Sequence, residues 1–189
     1  MSRDRLLTMM EVAVMTGLAV VLSNVKFGAL WAMGGSISLI MVPIFVIAFR
    51  RGWKMGVLTG LLVGLLNLLI GGYVVHPVQL ILDYPLAYLV LGLASILVLK
   101  KGAVPSITAI VIGLLFATTL RFLSHFASGV IWFGEYAPEG MNVSLYSALY
   151  NLSYLVPEML LTLGVLLLLA KKYPQFFLAK RTRHESDAA

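Results

Sequence analysis

The stretch VPSITAIVIGLLFATTLRFLSHFASGV, residues 104–130, decides what kind of protein this chain makes. It is longer than the roughly 20 apolar residues that carry a helix across a bilayer, at about 1.5 Å of rise per residue. A surface helix of that length would show a charged face at every turn, whereas here the first charge is Arg121, with His125 one turn further on. Such a segment reads as a membrane span with two ionisable groups toward its end.

The rest of the chain continues the pattern. Of its 189 residues 60% are hydrophobic and only 12% charged, with a mean hydropathy of +0.97, against about 45–50% apolar in a soluble domain. That excludes a soluble globule. A net charge of +6 would suit nucleic acid, but the basic residues fall in the gaps between apolar runs and so read as membrane flanks, which speaks against nucleic acid as a partner. The chain has no cysteine, so disulfides, Cys-ligated metals and thiol nucleophiles are excluded. Arg3 and Arg5 precede the first run without a small-residue cleavage site, and that run is expected to stay as a membrane helix.

Six spans are predicted in one membrane domain covering residues 1–189: about Leu6–Val25, Ser36–Phe49, Met55–Gly71, Val78–Leu99, Val104–Val130 and Val143–Ala170, followed by a basic tail at 171–189. The second run is short for a span, and is expected to tilt or to continue through the Gly34-Gly35 region as irregular backbone. No internal repeat supports an inverted-repeat carrier. Twelve of the fourteen Lys and Arg residues lie in the first, third, fifth and last polar segments, so the positive-inside rule places those segments and both termini in the cytoplasm. The outer gaps carry Trp31, Tyr73, His76, Trp132 and Tyr136, aromatics that would also suit an interfacial belt.

Ionisable groups inside spans cost about 2.5–3.5 kcal/mol each on insertion scales and point to function. The candidates are Glu11, Asp83, Arg121, His125 and Glu158. Counted from the outer ends of their helices, Asp83, His125, Tyr146 and Asn151 fall at similar depths in the outer leaflet on three different spans. Helical spacing aligns Thr118, Arg121, His125 and Ser128 on one stripe and Ser147, Asn151, Tyr154 and Glu158 on another, while Gln79 pairs with Asp83 and Tyr84 with Tyr88. Mutual hydrogen bonding as interhelical glue is the plain alternative, most of all for Arg121 and Glu158, which lie deeper and carry opposite charges. A carboxylate among Trp, Tyr and His side chains suits a small cationic aromatic ligand, because ring faces attract cations and stack on flat heterocycles, and Asn151 both donates and accepts.

Small residues recur at one-turn spacing in Ala13 and Gly17 of span one and in Gly56, Gly60 and Gly64 of span three. They let a second backbone approach closely, either within the protein or from a separate membrane subunit. No Gly-rich loop ending in Gly-Lys-Ser/Thr is present to hydrolyse ATP.

Over almost its whole length the chain resembles the thiamine-specific S components of energy-coupling factor (ECF) vitamin transporters. The blocks that carry the resemblance are RLLTMMEVAVMTGLA at 5–19, GGSISLIMVPIFVIAFRRG at 34–52, HPVQLILDYPLAYLVLGLA at 76–94, RFLSHFASGVIWFGEYAPEG at 121–140 and LYSALYNLSYLVP at 145–157. The resemblance implies an all-α protein of six transmembrane helices with a thiamine site near the outer surface. By motif position it implies Tyr73, Asp83, Tyr84, His125, Gly129, Tyr146 and Asn151 as ligand residues, with Asp83 standing where some relatives have Glu. A stacking aromatic of some relatives aligns with Phe133, next to Trp132, and a first-loop tryptophan aligns near Gly34, which Trp31 replaces only if the loop shifts. It also implies docking through small residues of helix one, here Ala13 and Gly17, on a transmembrane coupling subunit that joins the protein to two ATP-binding subunits, with the Gly56, Gly60, Gly64 ridge as a further contact.

The expectation is therefore a multi-pass protein of the bacterial cell membrane, not an enzyme, needing no cofactor or metal, that captures thiamine outside and delivers it when docked on an ATP-driven module. The rivals are an S component for another vitamin or a thiamine precursor, an intramembrane enzyme using His125 and Asp83 as an acid–base pair, and a proton-coupled carrier using Asp83, Arg121 and Glu158.

Overall fold

A computed structural model of the chain describes residues 3–27, 31, 35–97 and 104–179. Among the described residues the longer helical segments are α1 (Arg3–Ser23), α2 (Met41–Arg51), α3 (Trp53–Gly71), α4 (Pro77–Ser95), α5 (Ile107–Trp132) and α6 (Val143–Lys172), with short 3₁₀ turns at Gly134–Tyr136 and Pro174–Phe177. All but α2 are long and apolar enough to cross a membrane. Among the described residues the one β feature is an isolated antiparallel bridge between Phe27 and Ile37, where the Phe27 N–H donates to the Ile37 carbonyl at 2.8 Å.

The eleven residues of α2 explain why the second apolar run is short. Met41 to Phe49 are buried without interruption, so this helix is apolar all round and stands at the centre of the bundle, packed by α1, α3, α4 and α6. The chain reaches it through extended backbone at residues 35–38, as the Gly34-Gly35 region suggests, although Gly34 itself lies outside the described residues. Gly35 has φ +100°, and a Cβ there would meet the Tyr154 ring at 2.8 Å, so both backbone and space require glycine.

Span four is not one regular helix. Pro85 has no N–H to give, and residues Leu82–Leu86 open into a π turn, followed by a 3₁₀ stretch at Val90–Ser95. The Ser124 hydroxyl of α5 donates to the Leu82 carbonyl at 2.6 Å, tying this stretch to the neighbouring helix. Asp83 and Tyr84 ride on the widened turn.

The glycine ridge of α3 is used against this helix. A Cβ on Gly60 would overlap the Tyr88 carbonyl, one on Gly64 would lie 2.5 Å from the Tyr84 carbonyl, and one on Gly56 would lie 2.7 Å from the Gly92 carbonyl. The docking contact expected of Gly56, Gly60 and Gly64 is thus corrected: these glycines bring α3 and α4 backbones together inside the protein. On α1, by contrast, Ala13 and Gly17 are exposed and nothing lies within 4 Å of a Cβ built on Gly17.

Side chains close the helix starts. His76 accepts from the Val78 N–H at α4, Ser106 from Ala109 at α5, and Asn142 from Ser144 and Leu145 at α6. At the other end of the bundle, the Arg50 and Arg51 guanidiniums both hold the Glu11 carboxylate at 2.7–3.0 Å. Arg50 also donates to the carbonyls of Gln175, Phe176 and Leu178, fastening the segment whose Phe177 packs under Phe49. The structure therefore gathers Arg50, Arg51 and the ends of α1 and α6 on one side, the side assigned to the cytoplasm. Lys100, Lys101, Lys180, Arg181 and Arg183 lie outside the described residues.

Candidate functional site

At the opposite end of α3, beyond Ile70 and Gly71, a cavity of about 450 Å³ opens between α1, α3, α4, α5 and α6. That is within the size range of small-molecule sites, about 300–1,000 Å³. Its polar floor is Asp83. One carboxylate oxygen accepts from Gln79 Nε2 at 2.8 Å and from Ser128 Oγ at 2.7 Å, and the other faces His125 Nδ1 at 2.9 Å. Gln79 and Ser128 are almost wholly buried, so the carboxylate is fixed by groups that cannot turn to solvent.

The proton on His125 can be placed from its second contact. Arg121 Nε donates to His125 Nε2 at 3.4 Å, and a guanidinium has only donors. Nε2 therefore presents its lone pair, and the ring proton sits on Nδ1, donated to Asp83. In this arrangement the neutral imidazole donates to the carboxylate.

Asn151 closes the α6 side. Its Oδ1 accepts from the Tyr154 hydroxyl at 2.7 Å, and its Nδ2 donates to the Ser147 carbonyl at 2.9 Å. Gly129 lies opposite, where any Cβ would overlap Ser147 Oγ, so this glycine sets how closely α5 and α6 approach. Tyr146 lines the wall with its ring 5.9 Å from that of Tyr150. At the mouth, the Tyr84 hydroxyl accepts from the Tyr73 N–H at 2.6 Å, and the Tyr73 ring lies 6.2 Å from Phe133. Trp31, from the first loop, lines the cavity too: its Nε1 donates to Ser153 Oγ at 2.7 Å and its ring meets Tyr154 edge-on.

Nine of the ten ligand residues expected from the sequence thus border one cavity, and Trp132 does not. It is stacked on His76 at 5.1 Å outside the lining, while Phe133 above the bare Gly129 takes the inner position. The expected place of Trp132 in the site is corrected accordingly. The sequence reading did not single out Asn24, Lys26 and Asn67, which also border the cavity. Each is an isolated polar residue near a helix end or in a loop, and a periodicity-based reading has no signal there.

Below the cavity, Arg121 Nη1 and Glu158 Oε2 face each other at 3.2 Å without a well-aligned hydrogen bond, both almost fully buried. Ser38 Oγ donates to the other Glu158 oxygen at 3.0 Å, and the Arg121 guanidinium lies over the Tyr88 ring at 4.6 Å.

The bundle and its cavity define a membrane-embedded helical protein with an aromatic-walled polar cavity at the end opposite Arg50 and Arg51. The family model described as "Thiamine transporter protein (Thia_YuaJ)" matches residues 9–178, and the chain belongs to that family. It is 39% identical over 181 residues to the thiamine transporter ThiT of Bacillus subtilis (strain 168), covering 90% of this chain and 94% of that protein. It is 34% identical over 160 residues to ThiT of Lacticaseibacillus paracasei, covering 79% and 80%. The solved structure of ThiT from Listeria monocytogenes superposes with a TM-score of 0.84 at 29% identity, covering 94% of this chain and all of that one. A second structure, described as the S component of a bacterial ECF transporter, shares the fold, with a TM-score of 0.65 at 17% identity over 94% of this chain and 99% of that one.

Proposed function

We propose that this chain is the thiamine-capturing membrane subunit of an ECF-type uptake transporter in the bacterial cell membrane. Bound at the outer face, thiamine passes inward only when the chain is docked on a transmembrane coupling subunit carrying two ATP-binding subunits. The observation that carries the reading is the Asp83 carboxylate, fixed by three hydrogen bonds at the floor of an aromatic-walled cavity. Thiamine is a monocation made of two linked heterocycles, an aminopyrimidine and a thiazolium. Asp83, with His125 and Asn151, offers the charge and the hydrogen-bonding edge that such a molecule needs. Phe133, Tyr146, Tyr84, Tyr73 and Trp31 offer ring faces for stacking and for the cation. Gly129 lets α5 and α6 approach closely enough to bring Asp83, His125 and Asn151 to one cavity.

Docking is assigned to the exposed Ala13 and Gly17 face of α1, since the α3 ridge is occupied within the protein. Membership of a transporter family supports a role in transport, and in this reading no bond is made or broken by the protein. His125 and Asp83 serve as ligand contacts, not as an acid–base pair. Mass spectrometry of the small molecules that copurify with the detergent-solubilised chain tests the proposal. Thiamine is expected at close to one per chain, and a different vitamin or an empty cavity after expression in thiamine-containing medium would overturn it.

A further inference from the structure

The buried pair of Arg121 and Glu158 is not among the contacts assigned to thiamine. Arg121 borders the cavity beside His125, yet a cation at that position opposes a cationic ligand. Among the described residues the charged side chains along the cavity wall are Asp83, Arg121 and, at the mouth, Lys26. Lys26 is exposed and its field is screened by water and salt. Arg121 is not: it is 4% exposed, and its charge acts through a low-dielectric interior. Taken alone, Asp83 and Arg121 would cancel, and the cavity would hold no net charge for a monocation.

Glu158 changes that balance. It is 1% exposed, lies outside the lining, and meets Arg121 at 3.2 Å. Its second oxygen accepts from Ser38 at 3.0 Å, so the carboxylate is engaged on both sides. His125 adds no charge in the tautomer that its contact with Arg121 imposes. We propose that Glu158 is a specificity-determining residue: by neutralising Arg121 it leaves Asp83 as the one uncompensated charge of the interior, and so tunes the cavity for a ligand carrying a single positive charge. Glu158 acts through the field and through Arg121, without itself lining the cavity. This inference rests on the thiamine reading and deepens it.

The test compares two probes of the same shape on purified full-length protein: thiamine, and its uncharged analogue in which carbon replaces the positively charged thiazolium nitrogen. Glu158→Gln is expected to weaken thiamine binding at least tenfold while changing affinity for the uncharged analogue by less than about threefold, because removal of the carboxylate leaves Arg121 uncompensated. The double variant Arg121→Met with Glu158→Met removes both charges, and is expected to regain the preference for thiamine over the uncharged analogue that Glu158→Gln loses. It also serves if the single variant does not fold, since an apolar pair of similar volume is tolerated where a lone buried charge is not. Equal losses for both probes, or no loss for thiamine, would overturn the charge assignment, as would a double variant that has lost its preference for the charged probe. Failure of the thiamine reading itself would show separately, as a parent protein that does not bind thiamine at all.

Discussion

Replacing Asp83 by Asn keeps the size of the side chain and removes its charge. In the structure the carboxylate accepts three hydrogen bonds, from Gln79, Ser128 and His125. An Asn offers one oxygen and one amide group, so at least one of those donors would face another donor. Hydrogen bonds to charged groups contribute about 1.5–3 kcal/mol each, but these exist with and without ligand and so bear on stability more than on affinity. The affinity change comes from the lost attraction for the cation. At a separation of about 5 Å and an effective dielectric near 20, a unit pair contributes about 3 kcal/mol. Imperfect placement and reorganisation reduce it, and a loss of at least tenfold, about 1.4 kcal/mol, is the lower bound expected. Calorimetric titration of the purified Asp83→Asn protein with thiamine measures this directly, with thermal unfolding in detergent as the control for folding. A folded Asn variant that binds thiamine as tightly as the parent would refute the role given to the carboxylate.

Gly60→Ala is expected to lower thermal stability by about 1–3 kcal/mol, because the new methyl group meets the α4 backbone and neither helix can shift cheaply. Gly17→Ala, with open space around it, is expected to leave unfolding unchanged in the same assay. Thiamine should quench tryptophan fluorescence through Trp31, so Trp31→Phe is expected to abolish most of the signal. Trp132→Phe is expected to retain it, since Trp132 stacks on His76 outside the cavity. Ala13→Trp or Gly17→Trp is expected to leave thiamine affinity of the isolated chain nearly unchanged while abolishing ATP-dependent uptake and copurification with partner subunits.

Much of the architecture was legible because a bilayer constrains sequence so strongly. The apolar runs at 55–71, 104–130 and 143–170 match α3, α5 and α6 to within about three residues at each end. Depth counted along three helices brought Asp83, His125 and Asn151 to one level, and the structure joins Asp83 to His125 at 2.9 Å. Span four was legible as a span but not as a helix with a π turn, since Pro85 announces a disturbance without saying what form it takes. The glycine ridge of α3 announced a close helix contact, but spacing alone cannot say whether the other backbone belongs to the same chain. Trp132 ends α5 and Phe133 caps it with non-helical backbone, so the helical period does not say which of the two rings faces inward. Asn67 and Lys26 were invisible for a different reason: their role depends on where helix ends meet, which has no period in the sequence.

In the proposed role this chain by itself binds thiamine at the outer face and does not move it across. Reconstitution of the chain alone in liposomes, with labelled thiamine added outside, tests it most directly. Saturable binding of one thiamine per chain is expected, fully displaced by external unlabelled thiamine, with no label entering the lumen under a pH gradient or without one. Accumulation inside the liposomes without an ATP-driven partner, or the absence of saturable binding, would contradict it.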